Sequence, residues 1–377
     1  MKNEPNPFLV RGYTGPDLFC DRVQETEKLV RNMQNSVNTL LISNRRMGKT
    51  SLILHTFNTL NIKETTPCLY VDVFATQNLT DFTNQLAGAM LETFPEKNRP
   101  GKKVLNWLKR LSPVISYDPL SGVPQVSLAF SNAGQVENSL TGMFRFMEQM
   151  NVPIVIAFNE FQQILSYPEK NTEALLRTHM QLLQNLVFIF SGSSKHMLAD
   201  IFDDSRRPFF ASTQMIVLSE IEYAAYYQFI LNTFQKHKRI INHDAIDFIL
   251  HWSRRHTYYT QCICNKVFAA GIRKIEPDAV HKICSDILAE QETLFYQYRQ
   301  MLTSVQWNVL RGIAKEDKLY QPNSKDFIQK YRIGTPSNVQ RAIESLLHYE
   351  MIYRGHDDHG AYYRVYNVFL SRWLENK

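Results

Sequence analysis

One short stretch near the N-terminus constrains the fold of this chain more than any other. Residues 40–53 read LLISNRRMGKTSLI: an apolar run enters a polar turn that ends in Gly48-Lys49-Thr50, and an apolar helix-forming segment follows. This order is typical of a phosphate-binding loop (P-loop), where N–H groups at a helix N-terminus hold phosphates while Lys and Thr reach the outer phosphates and Mg²⁺. The stretch predicts that the chain binds ATP or GTP.

The match to the P-loop consensus G-x-x-x-x-G-K-[ST] has one departure. Ser43 stands where the first glycine usually lies, which is compatible with the fold if the backbone φ of Ser43 stays negative. The alternative is an ordinary lysine-containing turn, and the strand and helix patterns on either side argue against it. We therefore predict that the nucleotide is bound by Asn44, Arg45, Arg46, Met47, Gly48, Lys49, Thr50 and Ser51.

Composition bounds the remaining possibilities. The 377 residues are 44% hydrophobic and 21% charged, which is enough for two or three domains with their own cores. A net charge of +6 is compatible with polyanionic partners such as nucleotides or DNA. The five cysteines match no zinc or disulfide spacing and are predicted to be reduced thiols. The N-terminus carries no signal-peptide pattern, and no apolar run approaches the roughly 20 residues of a membrane span, so we expect no membrane association and a cytoplasmic location.

The periodicity of the chain predicts three domains. Alternating strand and helix patterns over residues 1–219 predict an α/β fold with a parallel sheet, interrupted at about 95–135 by an insertion with a basic helix whose charged face is better explained by solvation than by a partner. Residues 220–298 predict an all-helical lid. Residues 299–377 predict three helices and a β-hairpin tipped by GHDDHG, which is the winged-helix arrangement.

An apolar strand over 153–158 leads directly into Asn159 and Glu160. In P-loop ATPases such a strand ends in an acidic residue that holds Mg²⁺ through water, and a following glutamate often polarises the attacking water. This pattern assigns the metal to Thr50 and Asn159 and the role of catalytic base to Glu160, whose alternative is a surface carboxylate. An amide carries no negative charge, so we expect Mg²⁺ to be held less firmly than usual.

The next predicted strand ends in the hydroxyl cluster SGSS at 191–194. Ser193 could contact the γ-phosphate or the lytic water, because open α/β sheets bind ligands at the carboxyl ends of their strands. A helix N-cap made by Ser193 or Ser194 explains the cluster equally well. Two arginine pairs, Arg45-Arg46 and Arg206-Arg207, are candidates for an arginine finger, although solvated surface arginines are the simpler interpretation.

With these segments placed, the chain resembles the AAA+ ATPases of the prokaryotic group often called archaeal-type ATPases, relatives of STAND regulators and origin-recognition initiators. The resemblance covers nearly the whole chain and rests on FCDR at 19–22 with Glu27 and Leu29, NRRMGKTSL, FNEFQ, SGSS, and RHTYYTQ at 255–261. It implies an ATP-binding P-loop NTPase core, a helical lid and a winged helix. It also implies that the pre-P-loop segment contributes to the adenine pocket and that RHTYYTQ corresponds to the lid motif G-x-P-x-x-x-Q.

Several positions depart from the family pattern. Besides Ser43 and Asn159, Arg255 and Thr257 replace the usual glycine and proline of the lid motif, and the basic residue that family members commonly carry just after the position of Ala211 is absent. These departures predict slow hydrolysis, whereas Gly48-Lys49-Thr50 predicts that ATP binding is kept.

The sequence therefore predicts an ATP-dependent AAA+ switch with slow or partner-stimulated hydrolysis. Two alternatives remain open: an ATP sensor that does not turn over, and a DNA-binding regulator. In the latter, the second helix of the helix-turn-helix would present Asn338, Gln340 and Arg341 to duplex DNA. Winged helices also bind protein partners, so a protein partner is the alternative to DNA for this domain.

Overall fold

The computed structural model describes residues 5–59, 66–111, 113–117 and 124–377. These residues form two compact units. The first is Arg11–Ile221, and the second is Glu222–Lys377 together with the N-terminal residues up to Val10. In the described part of the chain, no helix combines the length and the apolar character needed to cross a membrane.

A parallel sheet organises the first unit. The strands are β1 (Thr39–Ile42), β2 (Cys68–Asp72), β3 (Pro113–Tyr117), β4 (Pro124–Leu128), β5 (Ile154–Asn159), β6 (Leu186–Gly192) and β7 (Gln214–Val217). Five of them pair in the order β2-β5-β6-β1-β7, and every pairing in this sheet is parallel. The predicted α/β class is therefore confirmed. The strands β5 and β6 are buried along their whole length, as their continuous apolar runs predict.

Helices cover both faces of this sheet. They are α1 (Val23–Gln34), α2 (Lys49–Thr59), α3 (Leu79–Thr93), α4 (Arg99–Lys109), α5 (Ala133–Glu148), α6 (Thr172–Leu182) and α7 (Lys195–Phe202). On one face, Leu52 of α2 and Leu29 of α1 share a core cluster with the strand residues Leu41 and Val155. On the other face, the core contains Phe82 of α3 together with other apolar residues of the strands and helices. The helix that follows the P-loop is thereby fixed to one known side of the sheet.

In the residues that the structure describes, the predicted insertion contains the helix α4 and the paired strands β3 and β4. The helix α4 begins at Arg99 rather than 102, and a Cβ at its Gly101 would lie 2.0 Å from the Pro95 carbonyl oxygen, so glycine is required at this close approach. The strands β3 and β4 pair antiparallel as a separate sheet. The Pro/Gly turn predicted between them falls at 118–123 and lies outside the described residues, as does residue 112.

The second unit is mainly helical. Its helices are α8 (Tyr223–Lys236), α9 (His243–Trp252), α10 (Thr257–Ala269), α11 (Pro277–Met301), α12 (Ser304–Glu316), α13 (Lys325–Lys330), α14 (Pro336–His348) and α15 (Val368–Glu375). The expectation of an all-helical lid needs one correction, because β8 (Ile240–Ile241) pairs parallel with β9 (Lys274–Ile275). Two-residue strands are too short to produce an alternating pattern that a sequence could reveal.

The winged-helix part has the predicted helices and hairpin, with two differences. The strands β10 (Ile352–Asp357) and β11 (Gly360–Val365) extend into the GHDDHG segment, so the turn itself is only Asp358-His359. Gly360 after the turn has φ of 111°, a conformation that favours glycine. The helix α15 was not predicted, because its eight residues are close to the lower limit at which a helical period can be recognised.

Candidate functional site

The predicted P-loop forms the connection between β1 and α2. Arg46 and Gly48 have positive φ values of 61° and 94°, so the loop turns tightly before α2 begins. Arg45 and Arg46 are exposed, Met47 and Lys49 are buried, and the other predicted nucleotide-binding residues are half-buried. Loops with alternating backbone handedness direct successive N–H groups to one point and form anion-binding concavities. The geometry is therefore suited to a phosphate.

Lys49 lies against the residue that replaces the first glycine of the motif. Its Nζ donates to the Ser43 hydroxyl at 3.1 Å and approaches the Ser43 carbonyl oxygen at 3.5 Å. Ser43 is fully buried and does not have a positive φ, which meets the condition set by the sequence. Burial lowers the pKa of Lys49 to about 8, against the opposing effect of Glu160, and the positive charge of Arg45 lowers it further.

Thr50 lies in the first turn of α2 next to a half-buried phenol. Its hydroxyl lies 3.4 Å from the Tyr70 hydroxyl on β2. Burial raises the pKa of Tyr70, and the nearby carboxylates of Asp72 and Glu160 act in the same direction. Thr50, Tyr70, Asp72 and Glu160 therefore share one neighbourhood at the carboxyl ends of the strands.

The structure places Asn159 between two neighbouring strand ends. Its Oδ1 accepts from the Ser191 hydroxyl at 3.0 Å, and its Nδ2 lies 3.4 Å from Asp72 Oδ1. Asp72 was not among the residues predicted from the sequence to form the site. The signal that would have found it is its position at the end of an apolar strand, since the carboxyl ends of parallel strands meet at one edge.

Glu160 is held by the hydroxyl cluster after β6. Its Oε2 accepts from the Ser193 N–H at 3.1 Å, from the Ser193 hydroxyl at 2.8 Å and from Gln162 Nε2 at 2.5 Å. A Cβ at Gly192 would lie 2.0 Å from Gln162 Oε1, so a larger residue here would force the Gln162 side chain to move. Ser194 is the N-cap residue of α7, as the alternative interpretation expected, although its side chain makes no cap bond, and the Ser193 hydroxyl bonds to Glu160.

The arginine candidates have carboxylate or hydroxyl neighbours. The Arg206 side chain forms two hydrogen bonds to Asp204, at 3.0 and 2.9 Å, and Arg207 pairs with Glu173 at 2.5 Å. Arg45 Nε approaches the Ser193 hydroxyl at 3.4 Å. Of the two pairs, Arg45-Arg46 is thus the one that belongs to the neighbourhood of Glu160.

A buried arginine in the pre-P-loop segment was missed as a P-loop contact. The Arg22 side chain is only 5% exposed and pairs with Glu25 at 2.8 Å. It also donates to the Ser219 carbonyl at 2.8 Å and reaches the Met47 carbonyl at 3.5 Å. Arg22 therefore contacts the P-loop through the Met47 carbonyl group. In the same pre-P-loop segment, Phe19 stacks on His55 of α2 with ring centroids 3.9 Å apart.

The residues predicted to contact DNA lie in the other unit, on α14. Thr335 caps this helix through a bond from the Asn338 N–H, and Val339, Ala342, Ile343 and Leu346 form its buried face. Gln340 and Arg341 are exposed, and Gln340 Nε2 donates to Glu344 at 3.0 Å.

Comparison with known proteins agrees with this architecture. Residues 293–376 match the family described as a probable winged helix domain. No curated protein matches the chain. Among solved structures, the Walker-type ATPase PABY2304 of Pyrococcus abyssi is 17% identical with a TM-score of 0.65, over 98% of this chain and 99% of that one.

Two origin-recognition proteins of Aeropyrum pernix are also similar. The ORC2 protein, solved as ADPNP–ADP complexes, is 15% identical with a TM-score of 0.60, over 99% of this chain and 96% of that one. The ORC1 protein, solved in complex with DNA, is 12% identical with a TM-score of 0.52, over 96% and 94%. The chain thus has the fold of AAA+ proteins of the origin-recognition type: a parallel sheet core, a helical region and a C-terminal winged helix.

Proposed function

We propose that this chain is an ATP-binding AAA+ switch that hydrolyses ATP slowly or on stimulation by a partner. The observation that carries the proposal is the buried Lys49 at the P-loop. Among the described residues, its ammonium donates to the hydroxyl and approaches the carbonyl oxygen of Ser43; Glu160 offsets part of the charge, whereas Arg45 and Lys195 add positive charge. Burying a charge is costly unless an opposite charge compensates it. A triphosphate would supply the negative charge and would accept hydrogen bonds from the backbone N–H groups of the loop.

The oxygen donors around the loop fit Mg²⁺, which prefers carboxylate, hydroxyl and water oxygens. Thr50, Asp72 and Glu160 supply hydroxyl and carboxylate oxygens at this edge of the sheet, and Asn159 adds an amide whose oxygen accepts from Ser191. When bound with the nucleotide, Mg²⁺ would neutralise charge on the outer phosphates.

Glu160 is the residue proposed to accept a proton from the attacking water. The contacts of its side chain that involve Ser193 and Gln162 are all made through Oε2, which fixes the orientation of the carboxylate. Proton transfer by a positioned carboxylate typically contributes about 10²- to 10⁴-fold to a rate. Ser193 would act through Glu160 as a positioning residue.

The binding proposal is tested with Lys49→Ala. We expect wild type to bind a fluorescent ATP analogue, and Lys49→Ala to lose at least about tenfold in affinity, because a charge-assisted hydrogen bond contributes about 1.5–3 kcal/mol. Lys103→Ala on the exposed face of α4 is the matched control. Equal affinity of wild type and Lys49→Ala would remove the P-loop assignment.

Turnover separates the enzyme from the non-hydrolysing sensor. If Glu160 is the base, Glu160→Gln should lower phosphate release well below the wild-type rate while ATP binding is kept. Equal rates in wild type and Glu160→Gln would favour the sensor. Asn159→Asp adds the carboxylate that the pattern lacks at this position, and a faster rate in this variant would identify Asn159 as a cause of slow turnover.

A second candidate function is duplex DNA binding through α14. The match to a probable winged helix domain and the exposure of Gln340 and Arg341 favour it. The charges are mixed, because Glu344 lies on the same face and bonds to Gln340. Binding to duplex DNA that weakens with salt and is reduced by Arg341→Ala would support this function. Absent or salt-insensitive binding would remove it.

A further inference from the structure

The carboxylate missing from the end of β5 is present at the end of the neighbouring strand. In the parallel pairing of β2 with β5, Asp72 is the register partner of Asn159. Register partners on adjacent strands point to the same face of a sheet. The side chains of Asp72 and Asn159 therefore lie side by side, and their polar atoms Oδ1 and Nδ2 are 3.4 Å apart.

This face is the one that carries the P-loop helix. Tyr70 lies two residues before Asp72, and side chains two apart in a strand share a face. Tyr70 packs against the cluster that contains Leu52 and Ile53 of α2, and its hydroxyl lies 3.4 Å from the Thr50 hydroxyl. Asp72 is thus the next residue after Tyr70 on this face, closer to the carboxyl edge, on the side of the sheet where Thr50 lies in the first turn of α2.

Hydrogen bonding fixes which end of the Asn159 amide faces Asp72. An ionised carboxylate only accepts hydrogen bonds, so the amide must present its NH₂ group to Asp72. Its oxygen then faces Ser191, whose hydroxyl donates to it at 3.0 Å. Asn159 is buried, whereas Asp72 is exposed and is steadied by the Phe74 N–H at 3.1 Å. The side-chain oxygen of Asn159 already accepts from Ser191, whereas the exposed carboxylate of Asp72 is accessible to a metal-bound water.

We propose that Asp72 supplies the negative charge that holds the Mg²⁺-bound water, and that Asn159 is the residue that positions Asp72. This inference rests on the proposed ATP-binding function. Mg²⁺ keeps several waters and is bound through one or two carboxylates together with phosphates, so a carboxylate on the adjacent strand can serve through a water. The pair Asp72–Asn159 then replaces the usual acidic residue at the end of β5.

The test compares wild type with Asp72→Asn and with the exchange Asp72→Asn/Asn159→Asp. Mn²⁺ affinity of the complex with a non-hydrolysable ATP analogue is measured by electron paramagnetic resonance, and analogue affinity is measured in EDTA. Asp72→Asn should weaken Mn²⁺ binding by about 10- to 100-fold, the usual range for losing an outer-shell partner of a metal site. Its metal-free analogue affinity should stay at the wild-type value. The exchange variant returns the charge to the end of β5 and should recover Mn²⁺ binding.

Glu96→Gln is the control for loss of one negative charge. Glu96 is exposed and follows Pro95, which lines a cavity together with Cys68 at the amino end of β2. This variant should bind Mn²⁺ as wild type does. Unchanged Mn²⁺ affinity in Asp72→Asn would overturn the inference while leaving ATP binding intact. If Asp72→Asn also bound the analogue more weakly in EDTA, the result for the exchange variant would decide between the two explanations. Failure of the exchange variant to recover Mn²⁺ affinity would overturn the inference about Asp72. Failure of the wild type to bind the analogue in EDTA or with metal would instead overturn the proposed function.

Discussion

Ser193 donates two hydrogen bonds to one oxygen of Glu160, from its backbone N–H at 3.1 Å and from its hydroxyl at 2.8 Å. Glu160 itself has a left-handed backbone with φ of 55°, a conformation that is uncommon for a residue other than glycine. Strained backbones of this kind persist where surrounding contacts hold them. The orientation of the proposed base therefore depends on the loop after the neighbouring strand.

Removal of the Ser193 hydroxyl should slow phosphate release without weakening ATP binding. In Ser193→Ala, Glu160 keeps the backbone bond but loses the second donor, and we expect kcat to fall by about fivefold, with KM unchanged, because one oriented hydrogen bond contributes about 1 kcal/mol. Ser193→Thr retains the hydroxyl and should recover most of the rate. Steady-state phosphate release measures both variants, and a change in KM alone would contradict this role.

Replacing Lys49 should increase stability while abolishing nucleotide binding. Its pKa of about 8 in the folded chain, below the ordinary lysine value of 10.5, means that burial of the ammonium costs about 3 kcal/mol at neutral pH. Lys49→Met keeps a long side chain and removes this cost, so its free energy of unfolding at pH 7 should exceed that of wild type by about 2 kcal/mol, after loss of the bond to Ser43. Denaturant unfolding measures the difference, with Lys103→Met as the exposed control.

The same variant pair has a defined pH dependence. Between pH 8 and 10.5 the unfolded chain binds more protons at Lys49 than the folded chain, so wild-type stability rises with pH in this window. The advantage of Lys49→Met should therefore be largest below pH 8 and disappear as the pH approaches 10.5. An advantage that stays constant with pH would show that packing, not the buried charge, is its cause.

ATP affinity should fall as the pH rises above about 8. The Lys49 ammonium is the charged form that attracts phosphate, and its pKa of about 8 in the free protein implies that it deprotonates above this value. Bound phosphate favours the charged form, so binding above pH 8 requires uptake of a proton. Lys49→Arg provides the comparison, because a guanidinium stays charged throughout this range. Calorimetric titrations from pH 7 to 9.5 should show a decline in wild type only.

The local parts of the site could be predicted from sequence, and the parts that depend on strand pairing could not. The P-loop residues are contiguous, so Gly48 and Lys49 are recognised by their spacing, and the pattern of apolar residues in β5 points to Glu160 in the same way. Asp72 lies beside Asn159 only because β2 pairs with β5, and Asn159 is 87 residues further along the chain than Asp72. The sequence order of strands does not specify which of them are neighbours.

The role of Arg22 was missed for a related reason. Its motif was associated with the adenine pocket through the family resemblance, whereas its side chain reaches carbonyl groups of Met47 and Ser219. Every residue has a backbone carbonyl group, so the residue types in a sequence do not indicate which carbonyl groups accept a side-chain hydrogen bond. The small ladder of β8 and β9 escaped prediction because two residues per strand carry no period.

The second unit contains a buried arginine whose charge is balanced across the helical and winged-helix segments. Arg254 follows α9, its side chain is 6% exposed, and it pairs with Asp317 at 2.6 Å and bonds to Ser371 at 2.8 Å. Burial lowers the pKa of Arg254 to about 10, so it remains charged at neutral pH. Asp317 also pairs with Arg364 of β11 at 2.5 Å.

Neutralising Asp317 should therefore destabilise this unit. Asparagine has nearly the same shape as aspartate, so Asp317→Asn removes the charge with little change in packing. Removing one partner of a buried pair costs up to about 3–5 kcal/mol, and because Asp317 is 46% exposed we expect about 2 kcal/mol. Asp358→Asn in the exposed hairpin turn is the matched control and should change the midpoint of thermal unfolding little. Equal midpoints for the two variants would show that Ser371 and Glu375, the latter 3.8 Å away, suffice to compensate Arg254.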